Sequence, residues 1–482
     1  MKIKSALGII GALLCVVGLS LIIPAACSFY YGEINVAISL LICLATFFGV
    51  GISFHLILRN KEMEELSHRE GIFTVGFGWL MVCLCGTLPY LLSGAIPSVP
   101  DAIFESFSGF TTTGASILSE IETMPKGILL WRCLTHWLGG IGIIVMFLAM
   151  LPFLGIRGMQ VYRAEMPEFF GEKLTPRVKD TAKALCIAYF IFTFLLFFLL
   201  VWGGMDKFNA ICHTFSIVSS GGFANHSSSM AQYQSPFLQW VMIIFMFLTG
   251  MNYAIHYQLL KGRFSVLLKD EELRFYFLYA AITTIVISVC LMETTDFSEN
   301  ALRNSAFHVV SIMSTTGVTT ENYQAWPFLP QALLVTLMFI GGCGGSTSGG
   351  FKCMRALLIL KCAYDEILMI LHPRAVRHLK LGKMSIPNDM LTSVCNYLIV
   401  FILIILICAL LLSAFGLDLL TSFSAALSSI SCVGPAFGLP GADGNYSTFP
   451  DAAKVILSIV MLLGRIEIYA LLVLVMPAFW RD

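Results

Sequence analysis

Charge is scarce in this sequence. Asp, Glu, Lys and Arg make up 12% of its 482 residues, about half the ~25% usual in soluble domains, which excludes an ordinary water-soluble fold. The 29 basic and 29 acidic residues cancel, so net charge is silent about partners and only its distribution informs. No nucleic-acid-binding motif is present. The fifteen cysteines are scattered, mostly inside apolar runs, with no Cys-x-x-Cys and no metal-ligand spacing. That excludes a disulfide framework and leaves them as small buried hydrophobes. No Gly-x-Gly-x-x-Gly fingerprint follows a strand-like run, so any nucleotide sensing belongs to another protein. No nucleophile–base grouping or carboxylate pair points to an enzyme, and no catalytic residue is expected.

Apolar length is what the chain has in excess. Hydrophobic residues supply 57% of it, and several runs exceed the ~20 residues that cross a bilayer as a helix. The chain reads as an all-α polytopic membrane protein. Met1-Lys-Ile-Lys precedes an apolar run reaching Cys27. That run is too long for the ~7–15-residue core of a secretory signal, so a retained helix is expected. Two leading helices, near 7–28 and 34–58, are followed by a polar link over 59–70.

Four windows then share one frame. They are Ser108-Gly-Phe-Thr-Thr-Thr-Gly-Ala-Ser116, Ser216-Ile-Val-Ser-Ser-Gly-Gly-Phe-Ala224, Ser311-Ile-Met-Ser-Thr-Thr-Gly-Val-Thr319 and Ser428-Ser-Ile-Ser-Cys-Val-Gly-Pro-Ala436. Each opens on serine and carries glycine six residues later, at Gly114, Gly222, Gly317 and Gly434. Glycine permits backbone angles that other residues resist, so each window suits a tight, extended turn with its carbonyls aligned. Four such turns about an axis form a ring of oxygens able to replace a cation's hydration shell. The windows are expected to be quarters of one ion filter.

The similarity reaches beyond the windows. Small residues stand six positions before each opening serine, at Ala102, Ala210, Ser305 and Ser422. A unit recurs four times: long apolar helix, shorter helix, glycine turn, proline, second long helix. After an extension over 1–70, the units are 71–183, 184–272, 273–386 and 387–482, with second helices near 127–154, 237–260, 329–360 and 452–476. The short helices cannot span a bilayer at ~1.5 Å per residue and must dip and return. Irregular backbone at membrane depth is tolerated only where protein buries it or water lines it, so the turns belong at a pore wall. The expected fold is two leading transmembrane helices plus four helix–pore-helix–filter–helix repeats around one pseudo-fourfold ion pore. If short helices enter from outside, their negative C-terminal ends favour a cation.

Charge distribution fixes an expected orientation. With the N-terminus in the cytoplasm, segments assigned inside hold 23 of 29 Lys and Arg, in keeping with the positive-inside rule. The outer segments keep Lys126, Arg132, Lys207, Arg303 and Lys454, while Arg465 lies within a span. Both termini are then cytoplasmic and all four glycine turns lie in the outer half.

These repeats, together with Trp131-Arg132, Trp137-Leu-Gly-Gly-Ile-Gly142, the stretch 341–352 and Gly464-Arg465-Ile-Glu467, resemble the Trk-type potassium uptake membrane subunits of the TrkH/TrkG kind. The related Ktr-type subunits generally lack the leading pair. The resemblance covers essentially the whole chain. One window departs: the family usually shows Asn-Val-Gly-Pro-Gly where this chain has Cys432-Val-Gly-Pro-Ala436. The resemblance implies that carbonyls of Thr112, Thr113, Gly114, Ser220, Gly221, Gly222, Thr315, Thr316, Gly317, Cys432, Val433 and Gly434 bind K⁺, with Rb⁺ as a substitute. It also implies a bacterial inner-membrane location, a homodimer and a peripheral nucleotide-binding regulator of the TrkA kind, with no cofactor beyond the transported ion. Simple channel behaviour, H⁺ or Na⁺ symport and a Ktr-like Na⁺-dependent variant stay open. A secondary carrier for another solute, with a midplane site at broken helices, is the rival class.

Six glycines fall within ten residues at Gly341, Gly342, Gly344, Gly345, Gly349 and Gly350. Each costs a helix about 1 kcal/mol relative to alanine, so the third unit's second helix is expected to break there. The plain reading is a helix end and loop. The resemblance implies an intramembrane gate. Arg465 either makes a structural ion pair or backbone contact, or regulates passage as a positive charge by the path. Glu467 stands two residues on, facing elsewhere. His213 and His308, each nine residues before its glycine, are expected to be packed and hydrogen-bonded, and His136 carries no specific signal. The basic segments 157–183 and 352–383, with Glu165, Glu168 and Glu172 among them, suit topology and lipid headgroups or a docking surface.

Overall fold

Each repeat begins with a long helix: His68–Cys85, Arg177–Trp202, Glu271–Met292 and Asn388–Ala414. In this computed structural model residues 3–58, 67–150, 177–292, 299–372, 379–382, 384–442 and 444–481 are described. The stretch 157–176, with its basic residues and Glu165, Glu168 and Glu172, lies outside them. Among the described residues, six helices are long and apolar enough to cross a membrane, or up to eight if bent pairs count as single spans. Such helices form because their backbone polar groups can be satisfied only internally within lipid.

The short helices are Val99–Phe110, Lys207–Val218, Glu299–Met313 and Leu419–Ser431. Two start on side-chain caps. Asp206 accepts the N–H groups of Phe208 and Asn209 at 3.0 and 3.1 Å, and Asp418 accepts that of Thr421 at 3.1 Å. Caps of this kind satisfy orphan donors and place negative charge at the positive helix end. The leading helices dock on the first repeat by the same chemistry. Glu33, in the turn before Ile34–Leu58, accepts the N–H groups of Lys126 and Gly127 at 2.6 and 3.0 Å.

The second helices depart from the sequence expectation. Only that of the first repeat, Lys126–Met150, runs on through the described residues. The second repeat's breaks between Pro236–Thr249 and Tyr253–Leu260 with a 101° bend, and the fourth's between Asp451–Arg465 and Ile468–Val475 with a 118° bend. Neither the stretch 237–260 nor 452–476 is therefore one helix. Asn252 accepts the N–H of Ala254 at 2.8 Å and starts a new helix. Glu467 adopts φ +71°, which helical backbone cannot take. In the third repeat the helix stops at Ile340 and restarts at Cys353. Lys380–Leu381 and Met384–Ser385 pair as a two-stranded ribbon, which hydropathy had not suggested.

Candidate ion-conducting site

All four short helices end in the same way. The residue two before each key glycine sits in the left-handed region: Thr112 at φ +51°, Ser220 at +55°, Thr315 at +56° and Cys432 at +54°. The next N–H reaches back to the carbonyl of the opening serine. These bonds are Thr113 to Ser108 at 2.9 Å, Gly221 to Ser216 and Thr316 to Ser311 at 2.8 Å, and Val433 to Ser428 at 3.0 Å. A left-handed residue with this six-to-one bond is the Schellman ending of a helix. Glycine usually fills its left-handed position, and a β-branched threonine there is an outlier. The key glycines follow with φ +82°, +88°, +75° and +99°.

The turns meet in cyclic order. A Cβ on Gly114 would stand 2.2 Å from the carbonyl oxygen of Gly221, and one on Gly222 would stand 2.0 Å from that of Thr316. One on Gly317 would stand 1.9 Å from that of Val433, and one on Gly434 would stand 2.5 Å from that of Thr113. The first turn thus abuts the second, the second the third, the third the fourth and the fourth the first. Each seam holds the carbonyl that precedes a glycine. A cleft on one side of the ring reaches all four glycines. At its rim the Ser227 N–H, 2.8 Å away, holds the Glu122 carboxyl below its ordinary range. Partial burial depresses His226, whose ring lies 3.7 Å from Glu122.

Side-chain hydroxyls do not repeat around this ring. The position before the glycine is Thr113, Gly221, Thr316 and Val433. The two threonine hydroxyls there are engaged locally, Thr113 with Thr111 and Thr316 with Ser314, both at 2.8 Å. At the seams, the polar group common to all four quarters is the backbone carbonyl.

In the first and third repeats the residue nine positions before the glycine braces the turn. In the first repeat it is Glu105, wholly buried, whose carboxylate accepts Arg132 Nε at 2.7 Å, Ser116 Oγ at 3.0 Å and the Ile117 N–H at 3.1 Å. Arg132, read from sequence as an outer-segment charge, is therefore an interior one. In the third repeat His308 bridges the carbonyls of Asn304 and Glu321 at 2.9 and 3.2 Å. His213 is packed against Tyr233, but its ring nitrogens have no hydrogen-bond partner among the described residues, so only the packing half of its expectation is met. His136, which carries no specific signal in the sequence, donates from Nδ1 to the Gly109 carbonyl at 2.7 Å and accepts the Phe223 N–H at Nε2, 3.2 Å away. It joins the first short helix to the second turn. Its ring would lie 2.4 Å from a Cβ on Gly221, which explains the paired glycines of that window.

Breaking the Glu105–Arg132 pair should be costly. Glu105→Ala leaves a buried guanidinium uncompensated, a loss of about 3–5 kcal/mol. Thermal unfolding in detergent should show a clear drop for this variant, with partial recovery in a double variant carrying Arg132→Met.

Beneath the ring lies the glycine-rich stretch. Residues 341–352 are all buried, with Gly341, Gly345 and Gly350 at positive φ. Thr347 Oγ1 pairs with Ser220 Oγ at 2.8 Å, the Gly349 N–H donates to Thr315 Oγ1 at 2.9 Å, and Ser348 Oγ donates to the Ser314 carbonyl at 2.7 Å. A Cβ on Gly349 would stand 2.3 Å from the Ser431 carbonyl oxygen. The loop therefore touches the second, third and fourth turns. Arg465 supplies the link to the first repeat, donating to the carbonyls of Thr347 at 2.6 Å and Gly139 at 3.0 Å. Its partners are carbonyls, whereas Glu467 turns to Arg355 at 2.8 Å and Lys352 at 3.3 Å.

Four dipping turns closed into a ring, on a helical frame of membrane-spanning length, define a membrane transport protein. The chain belongs to the TrkH family, whose model, described as a cation transport protein, matches residues 43–481. It is 36% identical over 485 residues to the Trk system potassium uptake protein TrkH of Halomonas elongata, covering 100% of each chain. It is 38% identical over 429 residues to the Escherichia coli K12 protein of the same name, covering 88% of each. The crystal structure of the potassium transporter TrkH from Vibrio parahaemolyticus matches with a TM-score of 0.91 at 32% identity, over 100% of both chains. These relatives are transport proteins and not enzymes, in line with the absence of a catalytic grouping in the sequence.

Proposed function

We propose that this chain is the potassium-conducting subunit of a Trk-type uptake system in a bacterial inner membrane, with both termini in the cytoplasm. The cyclic seam of four carbonyls carries this reading. One group repeats in every quarter, it is the backbone oxygen, and rings of such oxygens replace the hydration shell of a monovalent cation. The filter residues are Thr112–Gly114, Ser220–Gly222, Thr315–Gly317 and Cys432–Gly434. A fourfold ring favours a pore over the rival carrier, which calls for twofold inverted halves. Entry of K⁺ is driven by membrane potential, worth about 2.3 kcal/mol per charge per 100 mV.

The loop over 341–350 acts as the gate. Its contacts with Ser220, Thr315 and Ser314 lie directly under the filter, and Arg465 holds it through the Thr347 carbonyl. Opening requires the loop to move, which takes Arg465 out of its present contact. A second copy of the chain and a cytosolic nucleotide-binding regulator of the TrkA kind complete the system, the regulator acting on this loop. Rubidium uptake into vesicles of purified protein, with competing Na⁺ and with an imposed pH gradient, tests ion choice and coupling together. Uptake that competing K⁺ suppresses far more strongly than Na⁺ is expected. Equal competition by the two ions would sink the potassium reading.

A further inference from the structure

The loop and the helix that follows it share one carboxylate from a different helix. Glu272, in the first turn of Glu271–Met292, is 2% exposed. Its Oε1 accepts the N–H of Gly344 at 2.7 Å and that of Met354 at 3.0 Å. Gly344 lies in the first half of the loop, and Met354 lies in the first turn of the helix that follows it. That helix makes no side-chain cap of its own at Lys352. Glu272 fills the place from outside, with its negative charge at the positive helix end. The neighbouring acids are engaged elsewhere: Asp270 accepts the Leu273 N–H at 2.7 Å, and Glu271 pairs with Lys361.

We infer that Glu272 is the latch of this loop, its carboxylate holding Gly344 and Met354 in the obstructing arrangement and giving up the Gly344 N–H when the pore opens. The inference rests on the loop being the gate. Bonds from amide N–H to a carboxylate are stronger than those between neutral groups. Glu272 is shielded by protein, so a carboxylate that loses such a donor there has little water to replace it. The closed arrangement is therefore favoured by the same residue that starts the next helix. Glu272 acts through the loop and is a positioning residue.

The test is rubidium uptake by the full-length chain in vesicles, for Glu272→Gln, for a loop deletion of residues 344–346, and for both combined. Glu272→Gln should raise basal uptake about tenfold, equivalent to about 1.4 kcal/mol, while preference for rubidium over sodium stays as in the parent. In the deletion background it should add nothing, because the Gly344 amide that the latch releases is gone. A flat response to Glu272→Gln beside a raised response to the deletion overturns the latch and leaves the gate standing. A flat response to the deletion overturns the gate itself. A change in ion preference with Glu272→Gln assigns the residue to filter support instead. Glu272→Asp, which keeps the charge but shortens its reach, provides a second variant with a smaller rise expected. Failure of both substitutions to give monodisperse protein, while the deletion does, makes Glu272 purely structural and overturns the latch.

Discussion

Replacing Gly317 with serine should cut discrimination between K⁺ and Na⁺ by an order of magnitude or more. The third window's glycine has φ +75°, and an added Cβ would lie 1.9 Å from the Val433 carbonyl oxygen and 2.7 Å from Pro435 Cδ. Left-handed backbone alone costs a substituted residue about 1–2 kcal/mol. The contact with Val433 is worse, because the obstacle is backbone and cannot rotate aside. The seam between the third and fourth turns must open, and with it the spacing of the carbonyl oxygens we propose as the ion's ligands. A filter selects by holding that spacing and field. Competition between rubidium and sodium uptake in vesicles measures the effect, with Gly8→Ala as control, since a Cβ there meets nothing within 4 Å. Unchanged relative flux in a folded Gly317→Ser protein would refute the assignment of this turn to the filter.

Shortening the loop by removing residues 344–346 should raise basal rubidium uptake at least about tenfold without any regulator, the equivalent of about 1.4 kcal/mol. The shortened loop cannot keep the contacts of Thr347 with Ser220 and of Gly349 with Thr315 while still joining Ile340 to Cys353. Arg465 would also lose the Thr347 carbonyl. If the loop were only a connector, flux would stay at the parental level in a stable variant. If it were only a scaffold for the filter, ion preference would fall while flux did not rise.

Much of the fold was legible because two kinds of signal are strong in lipid. Apolar length marks spans, and the glycine-bearing frame repeats four times with the same spacing. The break after Ile340 was legible because six glycines in ten residues leave no other outcome. The breaks after Thr249 and Arg465 were hidden. Apolar residues flank both, and a hydropathy reading cannot distinguish a straight helix from a bent one. At the first, Gly250 approaches another repeat so closely that a Cβ would lie 2.3 Å from the Tyr276 hydroxyl. That contact joins residues far apart in sequence. The braces around the four turns were hidden for the same reason. Glu105 and Arg132 are 27 residues apart, and His136 and Phe223 are 87 apart. Glu272 sits beside two other acids and reads as a helix start, yet its partners lie 72 and 82 residues downstream. Spacing reveals what recurs along the chain, whereas these pairings occur once each.

The matched left-handed corners at Thr112, Ser220, Thr315 and Cys432 bear on how such an opening can evolve. In an assembly of identical subunits, one altered codon strikes four places together. Here it strikes a single quarter, and the other three hold the ring while the change is tried. Side chains can then drift apart so long as the main-chain course is kept, and cysteine can stand where its counterparts are threonine and serine.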